Sequence, residues 1–367
     1  MDLAAVADSY AQFFVPAFAI RVGDQDLVRQ RAIGVSQVEV DLALSAAGRF
    51  SFTVVNCYSH KKQAFLNGFG DPILDVLTFG ASVEIALGYR DHERLPVLLT
   101  GMITEISTGF NETGTPELSV SGYDHAFPMM LGKRSQSWSK RTDSDVVAAL
   151  AREHNLETDI QSTTEERPQI EQNQESDLEF LKKLATRNHF EFYVDPKKRL
   201  RFGKPRDRGT GVVQLNYGQG LLSFKPEANL AAQVSEVHVY GWNKDRKEAY
   251  VGKAIAGEES GRTGAGKSGG ELVRSAIGKP AILELRQPVF SAAEAKRRAE
   301  AVLNDHAKKY LTGDAECLGL PTLLPDHNVT FGNLGEKFSR TYYIQQTVHK
   351  VDGNGYRTRV KVKETAA

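Results

Sequence analysis

The residues that most resemble a chemical site are Gly261-Arg-Thr-Gly-Ala-Gly266-Lys267-Ser268, which satisfy the nucleotide-binding pattern G-x-x-x-x-G-K-[ST]. Such a loop works when a buried apolar strand precedes it and a helix follows it. Loop amides and the helix N-terminus then converge on the phosphates. Here the preceding residues are Ala256-Gly257-Glu258-Glu259-Ser260, which are polar and acidic, and Gly269-Gly270 follow, a pair that disfavours a helix start. No apolar strand ending in aspartate follows at a plausible distance for a magnesium ligand. The stretch Gly257 to Gly270 is therefore expected to be an exposed Gly/Ser loop that matches by chance, with no cofactor bound. A P-loop nucleotide-binding protein using Gly261 to Ser268 is the enzyme alternative.

The remaining candidates are weaker. The nine histidines include no i, i+4 pair of the kind that binds zinc on a helix, and H-E-x-x-H is absent. His349 lies in an alternating stretch, where a structural role is expected. Glu165, Glu166, Glu171, Glu175, Asp177 and Glu179 form an acidic cluster, read as solvated loop and helix-cap charge rather than a catalytic carboxylate pair. Cys57 and Cys317 are far apart and read as reduced thiols without metal. No catalytic, cofactor-binding or metal-binding residue is assigned, and no enzymatic activity is expected.

Charge and composition narrow the partners. Lys+Arg and Asp+Glu each count 46, so the 367-residue chain is formally neutral. Neutrality gives no global field for nucleic acid or anionic membrane. Basic runs at Lys61-Lys62, Lys182-Lys183, Lys197-Lys198-Arg199 and Arg297-Arg298 are dispersed without interleaved aromatics, so no nucleic-acid track is expected. No apolar run approaches the roughly 20 residues of a membrane-spanning helix. The N-terminal MDLAAVADSY lacks the basic start of a secretion signal, so synthesis in the cytoplasm is expected.

The elements around these residues are mainly β. Alternating stretches, including Val38 to Leu44, Phe50 to Val54 and Val83 to Leu87, recur through residues 13 to 123. Their turn signals suit a sandwich or barrel. Thr142-Asp143-Ser144-Asp145 and Ser176-x-x-Glu179 open two helices, and Phe190 to Phe202 form a hairpin. Alternation resumes from Val212, with a third capped helix at Ser291-x-x-Glu294. The last stretch, Asn328 to Lys363, reads as three strands around Gly332 to Gly335 and Asp352-Gly353-Asn354-Gly355, the latter a strong hairpin signal. Tyr356, Thr358, Val360 and Val362 share one face against Arg357, Arg359, Lys361 and Lys363, and Tyr356 to Lys363 is a candidate sheet edge. The expected fold is mainly β with α+β: two barrel-like β-domains joined by a small α+β module. The boundaries are 1–127, 128–205 and 206–367, with a Gly-rich loop and helix inserted at about 252–312.

Five groups of residues carry a family resemblance in register. They are GYDHAFPMML (Gly122 to Leu131) with TDSDVVAALAREHNL; QESDLEFLKKLATRNHFEFYV with LRFGKP; VHVYGWNKDRKE; FSAAEAKRRAEAVL; and FSRTYYIQQTVHKVDGNGYRTRVKV. Together they resemble the phage late-control D family, the hub of contractile-tail baseplates, related to the N-terminal half of VgrG-type spike proteins. Arg340-Thr341 stands where that family usually has a glycine before the tyrosine. The resemblance implies a homotrimeric ring with two related barrels per subunit, adapting a sixfold tail tube to a threefold spike. It also implies tube, spike and other baseplate proteins as partners, and incorporation into a phage-tail-like particle. Ala366-Ala367 directly after the hairpin leads to the expectation of a spike on a separate chain. A carbohydrate-binding β-protein is the third reading.

Overall fold

The structure is a computed structural model that describes all residues except 1, 2, 4, 6, 8–12, 91–93, 113, 208, 244–246, 261–265, 290 and 365–367. The N-terminal strands are β1 (Pro16–Val22), β2 (Val35–Ala43), β3 (Arg49–Val54), β4 (Ser82–Tyr89), β5 (Val97–Thr108) and β6 (Leu118–Asp124). They alternate apolar and polar residues, so one face of each is buried. Along β3, for example, Phe50, Phe52 and Val54 point inward and are at most 1% exposed.

An α+β module follows: β7 (Arg134–Arg141), α1 (Asp143–Glu153), β8 (Glu157–Ile160), β9 (Arg167–Glu175), α2 (Asp177–Asn188), β10 (Glu191–Val194) and β11 (Arg199–Gly203). Both helices begin at capping boxes, in which Thr142 with Asp145 and Ser176 with Glu179 satisfy the first free amides. Val146, Val147 and Leu150 of α1 face Phe180, Leu181 and Leu184 of α2, and the Trp138 ring stacks on Phe180 at 5.3 Å. The first helix stops at His154, with Asn155 at φ 55°. The second stops at His189 in the left-handed region.

The C-terminal part holds β12 (Gln214–Tyr217), β13 (Gly220–Ala228), β14 (Glu236–Asn243), β15 (Glu248–Ile255), α3 (Gly269–Ile277), β16 (Ile282–Arg286), α4 (Ala292–Ala307), β17 (Leu311–Leu318), β18 (Asn328–Gly332), β19 (Arg340–Asp352) and β20 (Gly355–Glu364). Strands β14 to β16 form their own three-stranded sheet, in the order β15-β14-β16. Their apolar face packs on α4 around Val237, Val239, Ala254, Ala295 and Ala299.

All barrel strands belong to one thirteen-stranded sheet. The N-terminal strands run β1-β4-β5-β6-β3-β2, and β2 pairs with β19 through Gln346↔Ala43 to Val351↔Val38. The other part of β19 pairs with β18, Asn328↔Tyr343 to Phe331↔Arg340. From there the order β18-β12-β13-β17-β20 returns to β19, closing a ring of six strands. One strand of 13 residues thus serves two barrels. The fold is mainly β with α+β, as the patterning predicted.

The expected sheet edge at Tyr356 to Lys363 is corrected by these ladders. Strand β20 pairs with β17 on one side and β19 on the other, so its backbone groups are satisfied within the chain. Alternation reports that one face is buried; it is silent about which neighbours flank a strand.

Candidate assembly surfaces

The closing hairpin is set by its turn and by a polar core. Asp352 Oδ1 accepts from the Asn354 amide at 2.8 Å, and Gly355 takes φ 103°, where a side chain would be strained. Behind the turn, the His349 ring meets the Tyr356 hydroxyl at 2.9 Å, the Leu323 carbonyl at 3.0 Å and Thr358 Oγ1 at 3.1 Å. It is fully buried, and burial pushes its pKa down to about 4. This is a neutral, satisfied histidine holding the hairpin to the loop before β18, not a ligand or base.

The outer face of β20 carries Arg357, Arg359 and Lys361, all exposed. Glu316 on β17 bridges the first two at 2.9 and 3.4 Å. Lys363 departs from the expected solvated stripe, being 8% exposed. Burial pushes its pKa down to about 8 despite Glu191 at 3.7 Å. The ammonium sits 5.4 Å from the centre of the Tyr343 ring.

The acidic cluster is likewise only partly solvated. Asp177 is buried and takes hydrogen bonds from Arg134 Nε at 2.7 Å and Gln172 Nε2 at 2.8 Å, and pairs with His154 Nε2 at 2.7 Å. Those bonds outweigh desolvation and hold its carboxyl below the usual range. Glu179 caps α2, Glu175 reaches Lys183 at 2.9 Å, and Glu165 pairs with Arg297. The Glu179 cap follows from its spacing to Ser176, but Arg134, His154 and Arg297 reach the cluster from other elements, which spacing could not show. No cluster of three or more His, Cys, Asp or Glu side chains able to hold a metal occurs among the described residues. Both cysteines are buried and free.

The P-loop-like stretch lies partly outside the described residues, at 261–265. Its C-terminal end overturns the expected exposed loop: Gly269 opens α3, and Ser268 is fully buried. The helix starts because Ser268 Oγ accepts from the Glu271 amide at 3.2 Å while the Glu271 carboxylate accepts from the Ser268 amide at 2.7 Å. The two glycines fit because there is no room for a Cβ: at Gly270 it would lie 2.5 Å from the Val234 carbonyl. A phosphate site would need that hydroxyl free and an electropositive surround. Instead the hydroxyl is engaged as a cap, and Glu259 Oε1 lies 3.4 Å from where a Gly270 Cβ would be. Gly266-Lys267-Ser268-Gly269-Gly270 also fits the nucleophile pattern G-x-S-x-G. The same burial and capping argue against that use.

What the surface offers instead is apolar area for contact. Phe14, Phe69, Phe79 and Phe110 are 65–83% exposed. Phe110 joins Tyr58 at 5.4 Å and Phe65 at 6.1 Å in a ring cluster on the first barrel. A shallow cavity of about 380 Å³ lies between Leu230, Leu272, Ala276, Tyr310 and Lys337. Contiguous exposed apolar area marks contact surfaces, and the Tyr58, Phe65 and Phe110 rings are a candidate of that kind. No sequence motif reveals them, since exposure is invisible in local sequence. Among the described residues no helix is long and apolar enough to cross a membrane.

Comparison with known proteins agrees with this architecture. No curated protein matches the chain. The 43 kDa tail protein of prophage MuSo2 from Shewanella oneidensis superposes with a TM-score of 0.69 at 15% identity, covering 95% of this chain and 98% of that one. A tail protein from Neisseria meningitidis MC58 gives 0.67 at 15% identity, over 96% and 97%. The Escherichia coli c3393 protein gives 0.56 at 11% identity, over 94% of this chain and 76% of its own. It is described as a type VI secretion component with structural similarity to the T4 tail proteins gp27 and gp5. The fold is thus the tail-protein fold that the hub motifs implied. In sequence, residues 32–353 match the profile of the Alg8 N-terminal domain, and the chain belongs to that family.

Proposed function

We propose that this chain is the structural hub of a contractile phage-tail-like particle. Three copies would form a ring that receives a sixfold tail tube on one rim and a threefold spike on the other, with other baseplate proteins around it. The observation that carries this reading is β19. Because one strand is hydrogen-bonded into both barrels, the two cannot turn independently without breaking a ladder. Each subunit then offers two barrel surfaces in a fixed relation, so three subunits offer six. That is the geometry a threefold object needs to meet a sixfold one.

The module is fastened to both barrels, which suits a part that carries load. The Ser45 amide bonds the Phe192 carbonyl at 2.8 Å, Thr100 Oγ1 donates to the Pro196 carbonyl at 2.7 Å, and Arg201 reaches Asp326 at 3.2 Å. The role needs no catalysis. Synthesis in the cytoplasm followed by incorporation into a particle fits it. The structural relatives, tail proteins and a secretion component, support the same role.

Light scattering of the purified chain, alone and with tube and spike proteins from its gene cluster, tests the proposal. A mass of three chains is expected with the spike present. A single chain under every condition would sink the ring.

A further inference from the structure

The sheet of β14, β15 and β16 has two edges of unlike design. Strand β16 is five residues long and stands between Pro280 and Pro288, two residues that cannot donate to an added strand. Strand β15 is eight residues long and contains no proline. The Ala256 amide bonds the Ser235 carbonyl on the β14 side, whereas the Ile255 amide turns outward and is met by Glu258 Oε2 at 3.3 Å. By strand alternation the backbone groups of Ala249, Val251 and Lys253 also face outward. Among the described residues nothing pairs with them.

The same three positions carry side chains on the face away from α4. The α4 side is closed, since a Cβ at Gly252 would run into the Ala295 backbone. On the open side Val251 is 43% and Ile255 41% exposed, Lys253 is exposed between them, and Trp242 stands 59% exposed in register with Ala249. A long, proline-free edge of this kind is a template for another strand.

We propose that β15 docks an extended segment of a second, different protein, added as a further strand with apolar residues against Val251 and Ile255 and an acidic residue against Lys253. The strand hydrogen bonds supply affinity and the alternate side chains supply choice. A second copy of this chain is a poor occupant. Pairing β15 with itself about a twofold axis sets outward positions only against outward positions, so Lys253 meets Ala249, Val251, Lys253 or Ile255. It never meets Glu248, the strand's one acid, which lies on the other face. The edge belongs to the sheet alone and does not depend on the ring proposed above.

The test uses the full chain and a fluorescein-labelled peptide, Thr-Thr-Val-Thr-Asp-Thr-Val-Thr-Thr, read by fluorescence anisotropy. Saturable binding is expected, weakened about tenfold when lysine replaces the peptide's aspartate, the swing from an opposite to a like charge pair. Val251→Pro removes only an outward donor and should abolish binding, whereas Val251→Thr should retain it. If Val251→Pro lowers the unfolding temperature, Lys253→Asp decides: it should reverse the preference between the two peptides. Absence of saturable binding by the wild type, or equal affinity of Lys253→Asp for both peptides, overturns the proposal.

Discussion

The two barrels share a strand yet are completed in different ways. In the second, backbone ladders run round all six strands and return to β19. In the first, β1 is the last strand, and among the described residues it pairs on its outer side only with Gln25–Asp26. The space between β1 and the hairpin is bridged by rings instead. Tyr89 lies 5.6 Å from Tyr356 and 5.3 Å from Phe13, and its hydroxyl donates to the Gly319 carbonyl at 2.9 Å. A ladder leaves no free edge. Aromatic packing closes the same gap with contacts that depend on shape. The closed barrel should therefore act as the frame, and the first should yield more readily to substitutions at the seam.

Five substitutions and two pH dependences put that difference to the test. Phe331 is fully buried between Phe224 and Tyr342, with ring centres 5.0 and 5.5 Å away. Phe331→Ala should cost about 4 kcal/mol in denaturant unfolding, because the ladder-bound ring cannot collapse into the void. An unchanged midpoint would remove the second barrel as the frame.

His349, in the wall between the barrels, should make the chain acid-sensitive. Its folded pKa is pushed down to about 4, whereas an unfolded histidine titrates near 6.5. The unfolded chain therefore takes up the proton first. Stability present above about pH 6.5 should be lost as pH falls through that window to 4, on the order of 3 kcal/mol. Unfolding midpoints compared at neutral and acid pH measure this, and His349→Gln should flatten the slope.

Gly319→Ala aims at the aromatic seam. A Cβ there would fall within the Tyr356 ring, and the expected loss is about 2 kcal/mol from overpacking. Near-ultraviolet circular dichroism should change with it. A variant as stable as wild type would mean the seam can shift freely.

Asp124, at the end of the first barrel, titrates in the opposite sense to His349. Its carboxyl accepts from the Gly48 and Ala126 amides, both at 2.8 Å, yet burial pushes its pKa from 3.8 up to about 7. The stability linked to the neutral acid is fully present below 3.8 and is lost as pH rises through 7. Asp124→Asn should cost about 1 kcal/mol at pH 5, because one amide acceptor is replaced by a donor, and should remove the slope between pH 5 and 8. A retained slope would assign it to another group. The smallest effect is expected from Lys267→Ala, within about 0.5 kcal/mol of wild type because the side chain is exposed. Assembly should be unaffected too. ATP hydrolysis by the wild type that this change abolished would restore the nucleotide reading.

Much of the local structure could be read from the sequence because local structure depends on near neighbours. Thr142 with Asp145 and Ser176 with Glu179 cap helices where the capping pattern placed them. Ser268-Gly-Gly-Glu271 carries the same signature, and the two glycines masked it: their cost in a helix is an average, and here close packing of Gly269 against Gln233 and of Gly270 against Val234 requires them. The hairpin at Asp352 to Gly355 and the inward face of Tyr356, Thr358, Val360 and Val362 follow from turn chemistry and a period of two.

The flanks of those strands were beyond the reach of local pattern. That β20 is paired on both sides, that Lys363 is buried over Tyr343, and that Trp242 and Phe110 stay exposed are results of which elements meet. The joining of the barrels rests on Gln346 lying opposite Ala43, residues about 300 positions apart. Alternation fixes which way a side chain points, because that follows from the pleat of a single strand. Only the assembled sheet decides what it points at, because backbone hydrogen bonds between strands are alike for every sequence, and the packing of distant side chains selects among them.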